Sequence, residues 1–346
     1  MKFITGILEK LLVENFIIQK VVDDFKINKD KRYEIPHVLN RTALIYHRLG
    51  QHQKSLDKYQ EAYNILNETN SNNYNDIIYA INGMASMYQS LGNYEQAIIK
   101  YNSAMNILRD HCTDNYADMA YSLNGIGSCF QLTNERQKAL TYYEQALEIY
   151  QKINKPNHPN VCFTLNKIAS IHQDNNNLQE ALSLYNGSLK IYKKVGKKNS
   201  INIAYTLNKI AQIYLANKDD IKALKKYNKA LKLYFSIFSG NHLGTTVSLS
   251  GIASVYLYRQ ENTKALETFQ ASLEMYKEIY KRSDIKIHLD IATILHKIGI
   301  TYFQLRNDQK AIEHLEQAFE MYEHTCTDDN INFFSCKNLL DTLKND

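Results

Sequence analysis

The sequence predicts an all-α fold: an α-α superhelix of seven helix-turn-helix repeats with a capping helix at each end. Three observations predict it. A set of apolar, small and aromatic positions recurs at steps of 42, 42, 42, 42, 42 and 46 residues; the spacings within each half of that unit are 3, 4 or 7; and 346 residues contain only 3 Pro and 12 Gly. Such spacings put side chains on one stripe of a helix. Scarce Pro and Gly leave few tight turns, which disfavours sandwiches and barrels and suits helices with short connections.

The elements follow in order. Residues 1–32 read as an amphipathic capping helix. Its start could pass for a targeting segment, but Glu9, Lys10, Glu14, Gln19 and Lys20 interrupt the apolar run. No export, no membrane span and a cytoplasmic location are therefore expected. Shifting the repeat register back puts Glu14 and Lys20 where Leu and Ala belong, so this helix covers the first repeat and is not an eighth copy.

Seven copies then occupy approximately residues 33–73, 74–115, 116–157, 158–199, 200–241, 242–284 and 285–326. Each is keyed to an apolar residue: Leu39, Ile81, Leu123, Leu165, Leu207, Leu249 and Leu295. Four residues on comes a tiny side chain, from Ala43 to Gly299, and seven on a ring, from Tyr46 to Tyr302. In the second half, small residues stand sixteen and twenty-three positions on, flanking Tyr59, Tyr101, Tyr143, Tyr185, Tyr227, Phe269 and Leu315 at twenty. Small residues let two helices approach closely, and the ring fills the gap against the next helix. Between the halves, Gly50, Gly92, Asn134 and Asn176 share one phase, that of a left-handed residue ending the first helix. A single pair cannot bury both of its apolar faces and is stable only when stacked. Residues 327–346, with Phe333, Phe334, Leu339, Leu340 and Leu343, suit a closing helix with one wet face.

At these positions the sequence resembles the tetratricopeptide repeat (TPR) family, whose apolar, small, aromatic, small, aromatic, small signature is met by Leu207, Ala211, Tyr214, Ala223, Tyr227 and Ala230. The resemblance covers about residues 33–326. The unit exceeds the usual length of about 34 and looks like the kinesin-light-chain type; Leu165-Asn166-Lys167-Ile168-Ala169 and Ala139-Leu140 through Ile149-Tyr150 match it. The motor-binding coiled coil of that family has no counterpart here, so motor binding is not carried over.

The resemblance implies a right-handed solenoid whose first helices line a concave groove. It directs into that groove the residues two before the key position and one, five and eight after it. One after, the chain reads Asn40, Asn82, Asn124, Asn166 and Asn208, then Ser250 and His296. Asn inside a helix costs up to about 0.7 kcal/mol relative to Ala, so a row of five gives up about 2–3 kcal/mol. Two readings account for it. The amides grip the backbone of an extended peptide, as Asn does there in related arrays, or they bond to neighbouring helices and space the array. Around them stand Tyr79, Tyr121, Phe163 and Tyr205 two before, Gln89, Gln131 and Gln173 eight after, and Lys167, Lys209 and Lys297 beside the amides. Rings, amides and cations together favour a peptide with apolar anchors and acidic residues.

Other chemistry is not supported. There is no Gly-rich phosphate loop, no Gly-x-Ser-x-Gly elbow and no His/Cys zinc spacing, so neither enzyme chemistry nor a cofactor or metal is expected. The five cysteines are scattered and read as reduced thiols. A net charge of +5 is mild, and lysines from Lys222 to Lys232 read as a solvated outer face, making nucleic acid an unfavoured partner. The expected function is an adaptor binding linear segments of partner proteins; the alternative is a regulatory array of a larger enzyme or signalling protein.

Overall fold

The strong period of three and four is realised as helix wherever the computed structural model describes the chain, at residues 34–69, 72–152, 159–196, 200–238, 240–281, 289–325 and 331–345. Among these residues there are fifteen helices and no strand. They form two compact units, divided between Val195 and Gly196. Unit 1 holds α1 (Ile35–Arg48), α2 (His52–Glu68), α3 (Tyr74–Ser90), α4 (Tyr94–His111), α5 (Tyr116–Leu132), α6 (Arg136–Lys152), α7 (Pro159–Asp174) and α8 (Leu178–Val195). Unit 2 holds α9 (Ser200–Ala216), α10 (Asp220–Ile237), α11 (Leu243–Tyr258), α12 (Asn262–Tyr280), α13 (Leu289–Gln304), α14 (Asp308–Thr325) and α15 (Ile331–Asn345). Within each unit, consecutive helices pack as pairs and each first helix also touches the next first helix. The fold class is the α-α superhelix.

One turn closes every first helix. Gly50, Gly92, Asn134, Asn176, Lys218, Gln260 and Arg306 all have φ between 59° and 80°. The next amide bonds back to the carbonyl of the ring residue at the seventh position, as in Asn93 to Tyr88 (2.8 Å) and Asp219 to Tyr214 (2.8 Å). This is the Schellman arrangement, which satisfies carbonyls orphaned at a helix end. The same residue often starts the next helix: the Asn93 and Asp219 side chains accept from the Gln96 and Lys222 amides. In a three-residue link, one residue therefore ends the first helix and the next caps its partner.

Close approach explains the small residues. Ser55 donates to the Ala43 carbonyl at 2.7 Å, a bond possible only where the two helices nearly touch. A Cβ on Gly127 would stand 3.0 Å from the Tyr143 ring and 3.2 Å from the Ala139 carbonyl. The rings at the twentieth position, Tyr59 to Phe269, are buried. Those at the seventh are half-buried except Tyr302, which is buried, and in five repeats a lysine covers them, as Lys138 does Phe130 at 5.2 Å. Seven residues past the buried ring lies a further buried row: Leu66, Leu108, Tyr150, Tyr192, Tyr234, Tyr276 and Tyr322. This row gives each second helix a further layer of core beyond the buried ring.

At the C-terminal end α15 covers the last pair. Cys336 and Leu340 are buried against the core that contains Leu315, and Phe333 stacks on Phe319 at 5.2 Å. The expected helix over 1–32 lies outside the described residues, as does Cys326. Cys112, Cys129, Cys162 and Cys336 are free thiols, and burial pushes those of Cys129 and Cys162 up to about 11. Among the described residues no helix is long and apolar enough to cross a membrane.

Candidate functional site

Within each unit the first helices carry three sets of residues at fixed repeat phases, and the structure separates their roles. The Asn row is buried: Asn40, Asn82, Asn124, Asn166 and Asn208 are between 2% and 6% exposed. Its amides reach the next repeat. Asn124 Nδ2 donates to the Thr164 hydroxyl at 3.0 Å, Asn82 Oδ1 accepts from Ser122 at 2.9 Å, and Asn208 Oδ1 accepts from Ser248 at 3.0 Å. Where the receiving position is Ala80, the Asn40 amide turns to the Asp76 carbonyl at 3.3 Å. Ser or Thr one position before the key residue supplies the hydroxyl of this clamp, a pairing that emerges only when adjacent repeats are laid side by side.

The Gln row works alike. Gln89 Nε2 donates to Ser128 at 2.9 Å and Gln131 Nε2 to Ser170 at 2.8 Å, and Gln131 Oε1 also receives the Tyr143 hydroxyl at 3.1 Å. Gln173 is half-buried at the end of α7. In Asn82, Asn124, Asn208, Gln89 and Gln131, amide groups are thus committed to bonds between repeats. Gripping a peptide backbone would require exchanging those bonds.

The ring row is different. Tyr79, Tyr121, Phe163 and Tyr205 are 43–45% exposed, while the rings at the twentieth position are buried. Two kinds of support hold them. Gly83 and Gly125 let the preceding core ring rise to the face, since a Cβ there would meet Tyr59 at 2.5 Å and Tyr101 at 2.2 Å. Tyr79 then packs against Tyr59 (centroids 6.2 Å apart) and Tyr121 edge-on to Tyr101 (6.3 Å). Burial, with the facing phenol adding to it, holds the Tyr59 and Tyr101 hydroxyls above the ordinary phenol value. Where lysine replaces that glycine, it covers the ring directly: Lys167 Nζ stands 5.5 Å from the Phe163 centroid and Lys209 Nζ 5.8 Å from that of Tyr205. Such contacts are worth about 0.5–1 kcal/mol at an exposed site.

Comparison with known proteins places this geometry. The tetratricopeptide repeat model matches residues 34–110, 118–194 and 202–278, and a second model of the same description matches 291–331. A TPR repeat-containing protein of Acanthamoeba polyphaga mimivirus is 40% identical over 68 residues, 19% of this chain and 20% of that one, so the match spans about a fifth of that relative. Among solved structures, a signal transduction ATPase with a tetratricopeptide repeat sensor from Pyrococcus horikoshii is similar over 97% of this chain and 49% of its own, with TM-score 0.63 and 18% identity. BtubC (BKLC) from P. vanneervenii is similar over 67% and 93%, with TM-score 0.56 and 17% identity. A tetratricopeptide repeat protein from Parabacteroides merdae is similar over 89% and 98%, with TM-score 0.53 and 16% identity. At such identities the structural likeness speaks for the fold alone. The family matches cover most of the chain, and together with the seven-fold helix-turn-helix register they make it a member of the tetratricopeptide repeat family.

Proposed function

We propose that the chain is a protein-interaction scaffold that takes linear segments of partner proteins on the face of its first helices. The observation carrying this reading is the set of exposed rings at one repeat phase, Tyr79, Tyr121 and Phe163 in unit 1 and Tyr205 in unit 2, while the rings at the twentieth position are buried. An exposed, pre-ordered ring offers apolar area with a polar tip and little entropy left to lose on binding. Lys167 and Lys209 beside the rings suit acidic side chains in the bound segment, and the Asn and Gln rows hold the helices at the spacing that sets the rings' separation. TPR proteins generally mediate protein-protein interaction, and this chain is assigned that role with no chemistry of its own, in a reducing compartment such as the cytoplasm.

Selection of random displayed peptides on the full chain tests it. Selected peptides should lose at least tenfold in affinity on Tyr79→Ala, Tyr121→Ala and Phe163→Ala combined, with the melting temperature held within a few degrees. Failure to select any peptide, or selected peptides indifferent to that variant, sinks the reading.

A further inference from the structure

The Asn row ends at Asn208, and the packing changes where it ends. In α11 the corresponding positions are small: Val247 at the ring phase, Ser250 at the Asn phase, then Gly251 and Ser254. The receiving side changes too. Ile294 in α13 stands at the phase where Ser122, Thr164 and Ser248 offer hydroxyls. Neither half of the clamp is present between α11 and α13, and a cavity of about 450 Å³ opens there, bounded by α9 on its far side. Gly251 contributes to the space, because a Cβ on it would stand 2.3 Å from the Tyr227 ring.

Lys297 enters this cavity from α13. Its Nζ donates to the Ser254 hydroxyl at 2.9 Å and lies 5.9 Å from the centroid of Phe269. An ammonium has three donors, and these contacts leave at least one for another acceptor. No carboxylate among the described residues comes within ion-pair distance of it. Burial pushes the amine below the usual lysine value. A largely desolvated cation without a counter-charge is costly, and its site is completed by an anion from outside. Asp290 bears on which anion. It shares the cavity wall, two helical turns or about 10 Å from Lys297, and already accepts the Tyr280 hydroxyl at 2.8 Å. A fixed negative charge there opposes a phosphate or polyanion and tolerates a single carboxylate held at the far end. Gln212, Ser250 and Thr293 also line the cavity and supply neutral hydrogen-bonding groups, and the volume is near the lower end of ligand sites, right for one or two side chains.

We infer that the cavity between α11 and α13 is a receptor for one carboxylate side chain, glutamate or aspartate, of the segment bound on the first-helix face. The inference rests on the proposed function for its biological ligand, but the cavity can be probed alone. N-acetyl-glutamate N-methylamide, titrated at millimolar concentration into the full chain, should give saturable methyl NMR shifts at Val247 and Ile294. The glutamine analogue should not. Lys297→Met should weaken the response at least tenfold without lowering the melting temperature, and Ser254→Val, which fills the space beside an intact lysine, should weaken it likewise. Tyr121→Ala should leave it unchanged, so a failed ring row and a failed carboxylate receptor give different results. No saturable response to the glutamate probe, an equal response to the glutamine analogue, retention in both cavity variants, or tighter binding of inorganic phosphate would each overturn the inference.

Discussion

Asn124 shows how much hangs on a single side chain in a repeat array. Its amide is 4% exposed and bonded to Thr164 of the following repeat, so removing it deletes the bond between repeats, while the Thr164 hydroxyl keeps the Asn160 carbonyl of its own helix at 2.9 Å. Asn124→Ala should destabilise the chain by about 0.5–1.5 kcal/mol, read as a lower melting temperature in circular dichroism; an unchanged melting temperature would show the clamp to be dispensable. Gly125, one residue on, fails for the opposite reason. With the Tyr101 ring 2.2 Å from the position of a Cβ, Gly125→Ala should cost about 1–3 kcal/mol through overpacking, measurable by urea titration. His296 occupies the Asn phase in the last repeat and is buried, and burial, with Lys297 adjacent, lowers its pKa to about 4. The unfolded chain takes up this proton near 6.5 and the folded chain only near 4, so the unfolded state binds more protons between those values. Stability contributed here is complete above pH 6.5 and falls on acidification across that window, by roughly 3 kcal/mol in all. His296→Asn should flatten the stability–pH curve between 6.5 and 4; an unaltered slope would place the acid sensitivity elsewhere.

Helices and turns were the most legible level of the sequence, but not uniformly. Gly50, Gly92, Asn134 and Asn176 announce the left-handed turn, because Gly and Asn tolerate positive φ. Lys218, Gln260 and Arg306 hold the same conformation with φ near 60°, imposed by the two helices they join, and no local signal marks them. Each carries strain that glycine would relieve. Lys218→Gly and Gln260→Gly should each stabilise by about 0.5–1 kcal/mol, the left-handed penalty less the entropy of the added glycine; a lower melting temperature for either would show that the side chain earns its place by contacts. The second buried row, from Leu66 to Tyr322, was harder to read for another reason: it lies past the last position of the six-residue family signature, and its residue type changes from Leu to Tyr along the chain. Burial of the Asn row was equally hard to foresee. A periodic amide at a groove phase has the same spacing whether it faces a ligand or the next helix, and the Ser and Thr that receive it sit about forty residues away in the chain.

At the scale of the whole molecule, the family and its function class were legible because seven copies repeat one rule, while the particular binding chemistry depends on where copies differ. Glycine or lysine beside the amide decides whether an exposed ring rests on a tyrosine or under a cation, and the lapse of the clamp after Asn208 opens a cavity. Charge at this scale is modest. With a net +5, and with Lys222 already paired to Asp219 at 2.7 Å, the lysines of α10 should act as solvated surface. The chain should leave a heparin column below physiological salt, whereas retention that weakens steeply only at higher salt would indicate phosphate binding. The central claim, that partner segments lie on the ring-bearing face of the first helices, is tested most directly by photocrosslinking a selected peptide. A photoreactive phenylalanine would replace Tyr121 in one protein and Phe235, an exposed ring on the second helix α10, in another. The account predicts a crosslink from position 121 and none from position 235; a crosslink from 235 alone would contradict it.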